Sequence, residues 1–443
     1  MALKKSQFKQ YGKTKQFIID HANHLKDVLT LEDAYWVAIN APVKAFNCDA
    51  DYLAYLDSDH DGCIRSDEVK NAIAWLFEHI QDINQIIPNN TSLPIHTINR
   101  QAAQGESIYQ TAIHILRVFG LHENDYVTLD HVRKLKQKQS NEETKDLPSI
   151  NNLIVIEKLI LYQANMIQFA NSYVSFPDLY NPNTNALFEL GTLIIDGRHF
   201  TLSVRVLDQE RHITFCQTSK MFVLYVNVSE RKGGDSFKIA VPVTAGMRGN
   251  LQVNKIGIFR DIYGKTFHAE IVKIVENPIS FMEAISSPFI RLGNALKTKL
   301  DDMASRADEK LETVSTDAFS GQATPYIPRN NSFQNNSMLA GGAVAIAALS
   351  SSIAFITKII SGLTIYSILN ALVGIISLIF IPICIIAYIK LSNRDLSAIF
   401  EGSGWGINPR MRLTYRLAKT FTKFPSLSKK KQLHHKPHIN INK

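Results

Sequence analysis

The sequence predicts an α+β multidomain membrane protein. It would hold a helical module built around a pair of loops, a small antiparallel β barrel or sandwich, and a C-terminal two-helix transmembrane hairpin. Three observations carry that class. An acidic, glycine-centred loop at 57–68 sits between helical apolar patterns, residues 186–280 switch to a period of two, and residues 338–390 hold two long apolar runs. With 443 residues, 45% of them apolar and 20% charged, the chain has room for a sizeable core and is not disordered in composition.

Residues 1–175 read as the helical module. In its loop, Asp57, Asp59 and Asp61 set three carboxylates on one turn, and Gly62 stands where the chain must bend sharply. Cys63 would offer its backbone carbonyl, and Glu68, at the twelfth position, a bidentate carboxylate. This D-x-D-x-D-G-x5-E spacing resembles an EF-hand calcium loop. The resemblance implies Ca2+ as the cofactor, with Mg2+ as the alternative occupant. Arg65 departs from it: a guanidinium occupies the ninth position, where a small oxygen-bearing residue usually holds a water, and its charge opposes a cation. Tyr52, Leu53 and Leu56 line the entering helix, and Val69, Ile73 and Leu76 the exiting one.

Such loops work in pairs, so Ile64 is expected to pair with the strand of a partner. The partner expected is a pseudo-EF-hand at 120–131, in which Val127 matches Ile64 at a distance of 63 residues. There Gly120 and His131 replace the first and last ligands, so that loop would pair without binding. Thr30 is expected to cap a helix running through Ala38 toward Pro42, and a further helix should occupy about 149–173.

In residues 186–280, alternation in 200–206, 221–228 and 237–243, with a last hairpin over 256–275, predicts five to seven antiparallel strands. Turns are marked by Asp196-Gly197, Gly233-Gly234-Asp235 and Tyr263-Gly264-Lys265. Arg198, Arg205, Lys238, Lys255, Arg260 and Lys273 fall on outward positions with few aromatics beside them. A solvated strand face fits that pattern, and no nucleic acid is expected as a partner. A helix over 281–313 carries a near-heptad seam, Leu292, Leu296, Leu300, Met303, Ala307 and Leu311. Packing on the β domain and self-association account for the seam equally. Residues 314–337, rich in Asn, Ser, Pro and Gly, read as a flexible linker.

Within 338–390 the one Lys or Arg before Lys390 is Lys358, between the runs 339–357 and 363–389. A bilayer core of about 30 Å needs about 20 such residues as helix, so each run is long enough to span. Residues 391–443 form a basic tail: from Lys390 onward the local charge is +10, against −2 for everything before it. That asymmetry places the tail in the cytoplasm and, through a two-span hairpin, the amino terminus as well. The first nine residues lack an apolar stretch, so no secretory leader is expected. Asn408 and Pro409 read as the start of a helix in which Arg412, Arg416, Lys419 and Lys423 form a basic stripe beside Leu413, Leu417, Phe421 and Phe424. That stripe is a candidate contact with an anionic bilayer surface, and a solvated tail explains it as well.

More loosely, Leu31 to Leu76, Val253 to Phe289 and Asp395 to Leu413 (with Gly402-Ser403-Gly404-Trp405-Gly406) resemble an uncharacterised group of bacterial membrane proteins. The resemblance implies an inner-membrane location and no activity beyond cation binding and anchoring. No enzyme is expected, since GxSxG, HExxH and a GxGxxG in a strand-turn-helix setting are all missing. The function expected is a membrane-anchored calcium-binding protein in a regulatory or scaffolding role, with the bilayer and either a protein partner or a second copy as partners. The alternative is an oligomeric channel or transporter-associated subunit built from the hairpin.

Overall fold

The computed structural model describes residues 7–11, 14–141, 148–181, 183–230, 236–319, 358 and 364–425. The first apolar run (339–357), most of the linker and the lysine-rich end of the tail lie outside the described residues. The protein is a mixed α/β structure that divides into two units, Met1–Ser280 with Lys390–Lys443, and Phe281–Ile389.

In the larger unit the helical part contains two units of the same plan. After β1 (Phe8–Tyr11), β2 (Thr14–Phe17) and α1 (His24–Leu29), the first runs β3 (Ala38–Pro42), a 3-10 turn (Val43–Ala45), α2 (Ala50–Leu56), the acidic loop, β4 (Cys63–Arg65) and α3 (Ser66–His79). The second runs β5 (Ser92–Pro94), a 3-10 turn (Ile95–Thr97), α4 (Gly105–Val118), a loop, β6 (Tyr126–Thr128) and α5 (Leu129–Asn141). Registers match too: Ala41 lies opposite Ile64 and Pro42 opposite Cys63, as Leu93 lies opposite Val127 and Pro94 opposite Tyr126. Each loop strand therefore pairs with the strand that opens its own unit. Ile64 does not pair with Val127, contrary to the expectation. Residues 38–42 are strand rather than helix for the same reason, because β3 is held between β4 and a short C-terminal strand, Gly406–Ile407.

Both units pack on α6 (Ile150–Val174), which is buried along most of its length. Its apolar composition and 25 residues satisfy the length and hydropathy of a bilayer span, but its faces are filled by the units around it. Its buried polar groups are paired, Asn171 with the backbone N–H and C=O of Ile19 and Glu157 with Arg133, Lys136 and Tyr55.

The β region is an eight-stranded, curled antiparallel sheet. It is assembled from strands within 191–275 together with Thr422–Lys423 from the C-terminal segment, which closes on Arg198–Phe200. Asp196 and Gly197 both take positive φ (55° and 67°), the two-residue turn anticipated there. On the strand Phe222–Ser229, Val223 and Tyr225 enter the core shared with the helices, whereas Leu224, Val226 and Val228 enter the concave core of the curl. A polar helix, α7 (Gln209–Thr218), interrupts the strands; Asp208 caps it by accepting from the N–H groups of Glu210 and Arg211.

The C-terminal segment is part of this unit. Trp405 lies in the core, with ring centroids 5.2 Å from Phe46, 5.2 Å from Phe188 and 5.7 Å from Phe400. Gly402 is required by close approach, since a Cβ there would stand 2.9 Å from the His212 ring. Asn408 caps no helix: its amide donates to the carbonyls of Asp33, Ala34 and Trp36. The helix starts later, at Tyr415–Phe421, with Thr414 accepting from the Leu417 N–H.

In the second unit Phe281–Phe319 is helical, and Leu292, Leu296 and Leu300 on it are exposed. Ile365–Ser392 forms a second helix, with Pro382 inside it, whose apolar side chains are almost all exposed. By length and composition it is able to cross a bilayer.

Candidate metal centre

The loop between α2 and β4 is shaped by its own side chains. Asp57 ends α2 and its Oδ2 accepts from the Gly62 N–H at 3.1 Å. Asp59 Oδ1 accepts from the Asp61 N–H at 3.2 Å, and Asp61 Oδ1 from the Cys63 N–H at 2.8 Å. Gly62 takes φ +82°, a backbone conformation costly for other residues, and the turn wraps the carboxylates inward. One carboxylate oxygen from each of Asp57, Asp59 and Asp61 lies within 4.8 Å of the others.

Three oxygens decide what this arrangement can do. Asp57 is only 8% exposed, and its Oδ1 is buried without a hydrogen-bond partner among the described residues. A buried carboxylate oxygen left bare is costly, since it has lost water without gaining a donor. A hard cation would satisfy it. The other oxygens belong to Asp59 and Asp61, whose Oδ2 atoms are bridged by the Arg65 guanidinium, Nη1 reaching Asp59 at 2.9 Å and Nη2 reaching Asp61. This hydrogen bonding holds the Asp59 carboxyl below the usual range and raises the guanidinium in turn. The residue read as a weakness of the loop is thus its internal counter-ion.

Glu68 and Cys63 stand outside the carboxylate cluster. Glu68 is buried, and its Oε1 accepts from the Ser58 N–H (2.8 Å) and hydroxyl (2.9 Å), its Oε2 from the Arg65 N–H (2.9 Å). It ties the two ends of the loop together. Cys63 is half-buried in β4. The Ile64 carbonyl accepts from the Tyr173 hydroxyl at 3.0 Å, fixing the loop to α6.

A second network lay beyond sequence reasoning. Asp49, the N-cap of α2, accepts from the N–H groups of Asp51 and Tyr52 and also takes Arg133 Nη2 at 2.7 Å on each oxygen. Arg133 Nε reaches Glu157 Oε1 at 2.8 Å, and Lys136 and the Tyr55 hydroxyl meet Glu157 Oε2. Burial pushes the Glu157 carboxyl up, but Lys136, Arg133 and Tyr55 outweigh it and hold it below its ordinary range. The exiting helix of the second unit is thereby clamped to the entering helix of the acidic loop. The signal in the sequence was a lone acid, Glu157, in an apolar run.

The basic stripe is dispersed. Its companions Leu413 and Phe421 are buried in the fold, Arg412 and Lys423 line two different cavities, and Arg416 and Lys419 are exposed. Of the outward basic positions on the sheet, Arg198 is buried, held by Asp196 and by the Met247 carbonyl.

No protein-family model, curated protein or solved structure matches this chain.

Proposed function

We propose that this chain is a membrane-anchored protein that binds a divalent cation at Asp57–Glu68, in a regulatory or scaffolding role rather than a catalytic one. The observation that carries the reading is Asp57 Oδ1, a buried anionic oxygen with no donor among the described residues, on a side chain that sets a carboxylate oxygen within 4.8 Å of two further carboxylates. Asp57, Asp59, Asp61 and Glu68 would hold the ion, with the Cys63 carbonyl as a backbone ligand. Their four carboxylates favour Ca2+, with Mg2+ as the alternative. Asp59 and Asp61 would exchange the Arg65 guanidinium for the ion, and Glu68 would give up Ser58. That exchange ties occupancy to the angle between α2 and α3, and through the Arg133 clamp to α5 and α6. The anchor rests on Ile365–Ser392, whose exposed apolar surface suits lipid rather than water.

Thermal unfolding of the full chain in detergent tests the cation. Millimolar Ca2+ should raise the midpoint by mass action, about 2.7 kcal/mol at a hundredfold excess over the dissociation constant. An unchanged midpoint with both Ca2+ and Mg2+ would remove the support.

The Arg65 contact makes a separate prediction. Arg65→Gln is expected to tighten cation binding on the order of five- to tenfold at low salt, and by less at high salt, because a competing charge is gone. Parallel titrations of the two proteins check it. Equal or weaker binding by the variant would mean the guanidinium does not compete.

A further inference from the structure

The turn that follows α7 and the segment that follows Ile365–Ser392 enclose a polar cavity of about 560 Å3. Its wall includes Lys220, Asn393, Asp395, Glu401, Arg410 and Arg412. That size suits a small-molecule site. Its charge is uneven in a specific way. Asp395 Oδ1 already accepts three hydrogen bonds, from the Ser397 N–H and hydroxyl and the Met411 N–H. Burial and neighbouring Asp395 push the Glu401 carboxyl up, outweighing the opposite pull of Arg410. Lys220, Arg410 and Arg412 have no ion pair or side-chain hydrogen bond among the described residues. Arg198 and Arg394 differ sharply, since both are buried and bonded to backbone carbonyls. Three cations that make no side-chain hydrogen bond or ion pair among the described residues thus face one polar space, Arg410 with only a longer-range attraction to Glu401, and the five-donor guanidinium forks suit phosphate oxygens.

The chain fixes the depth of the cavity. Asn393, in its wall, is the residue after the last residue of the helix, Ser392. Arg394 then pins the backbone, its Nη1 donating to the carbonyls of Thr244 at 2.9 Å and Ile279 at 3.1 Å. If the helix crosses a bilayer, a wall one residue beyond its end lies in the headgroup layer, and basic pockets at that depth suit anionic headgroups.

We propose that this cavity binds the phosphate of an anionic lipid headgroup through Lys220, Arg410 and Arg412. The lipid source rests on the membrane reading given above; the phosphate chemistry does not. The test is calorimetric titration of the full chain, in detergent, with dihexanoyl phosphatidylglycerol, dihexanoyl phosphatidylcholine and inorganic phosphate. The glycerol lipid is expected to bind saturably and more tightly than either control. Arg410→Gln with Arg412→Gln should weaken it roughly thirtyfold, the loss expected from two basic groups at an anionic surface. Lys26→Gln with Lys44→Gln, exposed and not among the cavity's lining residues, should leave it unchanged.

Because the Arg410 and Arg412 side chains make no hydrogen bond or ion pair among the described residues, the first double variant should keep its melting temperature, and Lys220→Gln gives a second probe if it does not. Inorganic phosphate binding as tightly, with the same loss in the variants, would support the site and assign it to free phosphate. No saturable binding, or binding indifferent to these substitutions, would overturn it. Soluble short-chain lipid makes the result independent of whether Ile365–Ser392 spans a bilayer, which carbonate extraction of membranes tests separately.

Discussion

Trp405→Ala is expected to lower the stability of the larger unit by about 4 kcal/mol, in the range found for emptying a buried aromatic site. The indole is 4% exposed and packs against Phe400, close by in sequence, and against rings from two distant parts of the chain, Phe46 and Phe188. Nothing nearby can collapse into the space without disturbing Phe46, which leads into α2, or Gly406–Ile407, which completes the strand set of the acidic loop. Chemical denaturation of the full chain, followed by far-ultraviolet circular dichroism, gives the change. A midpoint equal to that of the parent would mean that the segment after Lys390 does not belong to the core.

The second large effect is a pH dependence centred on Glu189. This side chain is 8% exposed, accepts from the Ala186 N–H at 3.2 Å, and lines a cavity of about 250 Å3 with Asp261, Thr201 and Lys423. Burial pushes its carboxyl up to about 8; the Ala186 N–H and Lys423 pull the other way, and Asp178 adds to the rise. In the unfolded chain the same group titrates near 4.5. Between these two values the folded protein holds a proton that the unfolded chain has released. The favourable contribution is therefore full below the unfolded value and is lost as pH rises through the folded one. The loss is at most about 5 kcal/mol. Glu189→Gln keeps the acceptor for Ala186 and cannot ionise. It should be near neutral at about pH 4 and clearly stabilising at about pH 9, flattening the profile. Denaturation midpoints across that range read it directly, and parallel profiles for the two proteins would exclude the ionisation.

The acidic loop was legible because everything that defines it is local. Three aspartates, a glycine and a glutamate at fixed offsets determine the turn, and the helices on either side show their apolar faces within seven or fourteen residues. What the loop pairs with was not legible. β3 is short, holds Ala38 and Ala41 at a helix-like spacing, and becomes a strand through long-range pairing with Cys63–Arg65 and Gly406–Ile407. The sheet announced itself by alternation, whereas α7, with Gln, Glu, Arg and Thr in ten residues, offered no apolar period. Trp405 packs against Phe46 and Phe188, neighbours far away in sequence that no local pattern pointed to. Arg65 was correctly located as a positive charge in an acidic loop. Its bridging role is set in three dimensions, because a guanidinium at that position can point to solvent or back across the turn. Glu157 and Glu189 acquire their meaning from burial, which no spacing encodes.

The central claim is that Asp57–Glu68 binds a cation, and isothermal titration of the full chain with Ca2+ tests it most directly. One binding event per chain is predicted for the parent, and its loss in Asp57→Asn, which removes the charge of the buried oxygen while keeping the side chain's shape. Absence of binding heat with both Ca2+ and Mg2+ at several temperatures, or an Asp57→Asn isotherm identical to the parent's, would contradict it.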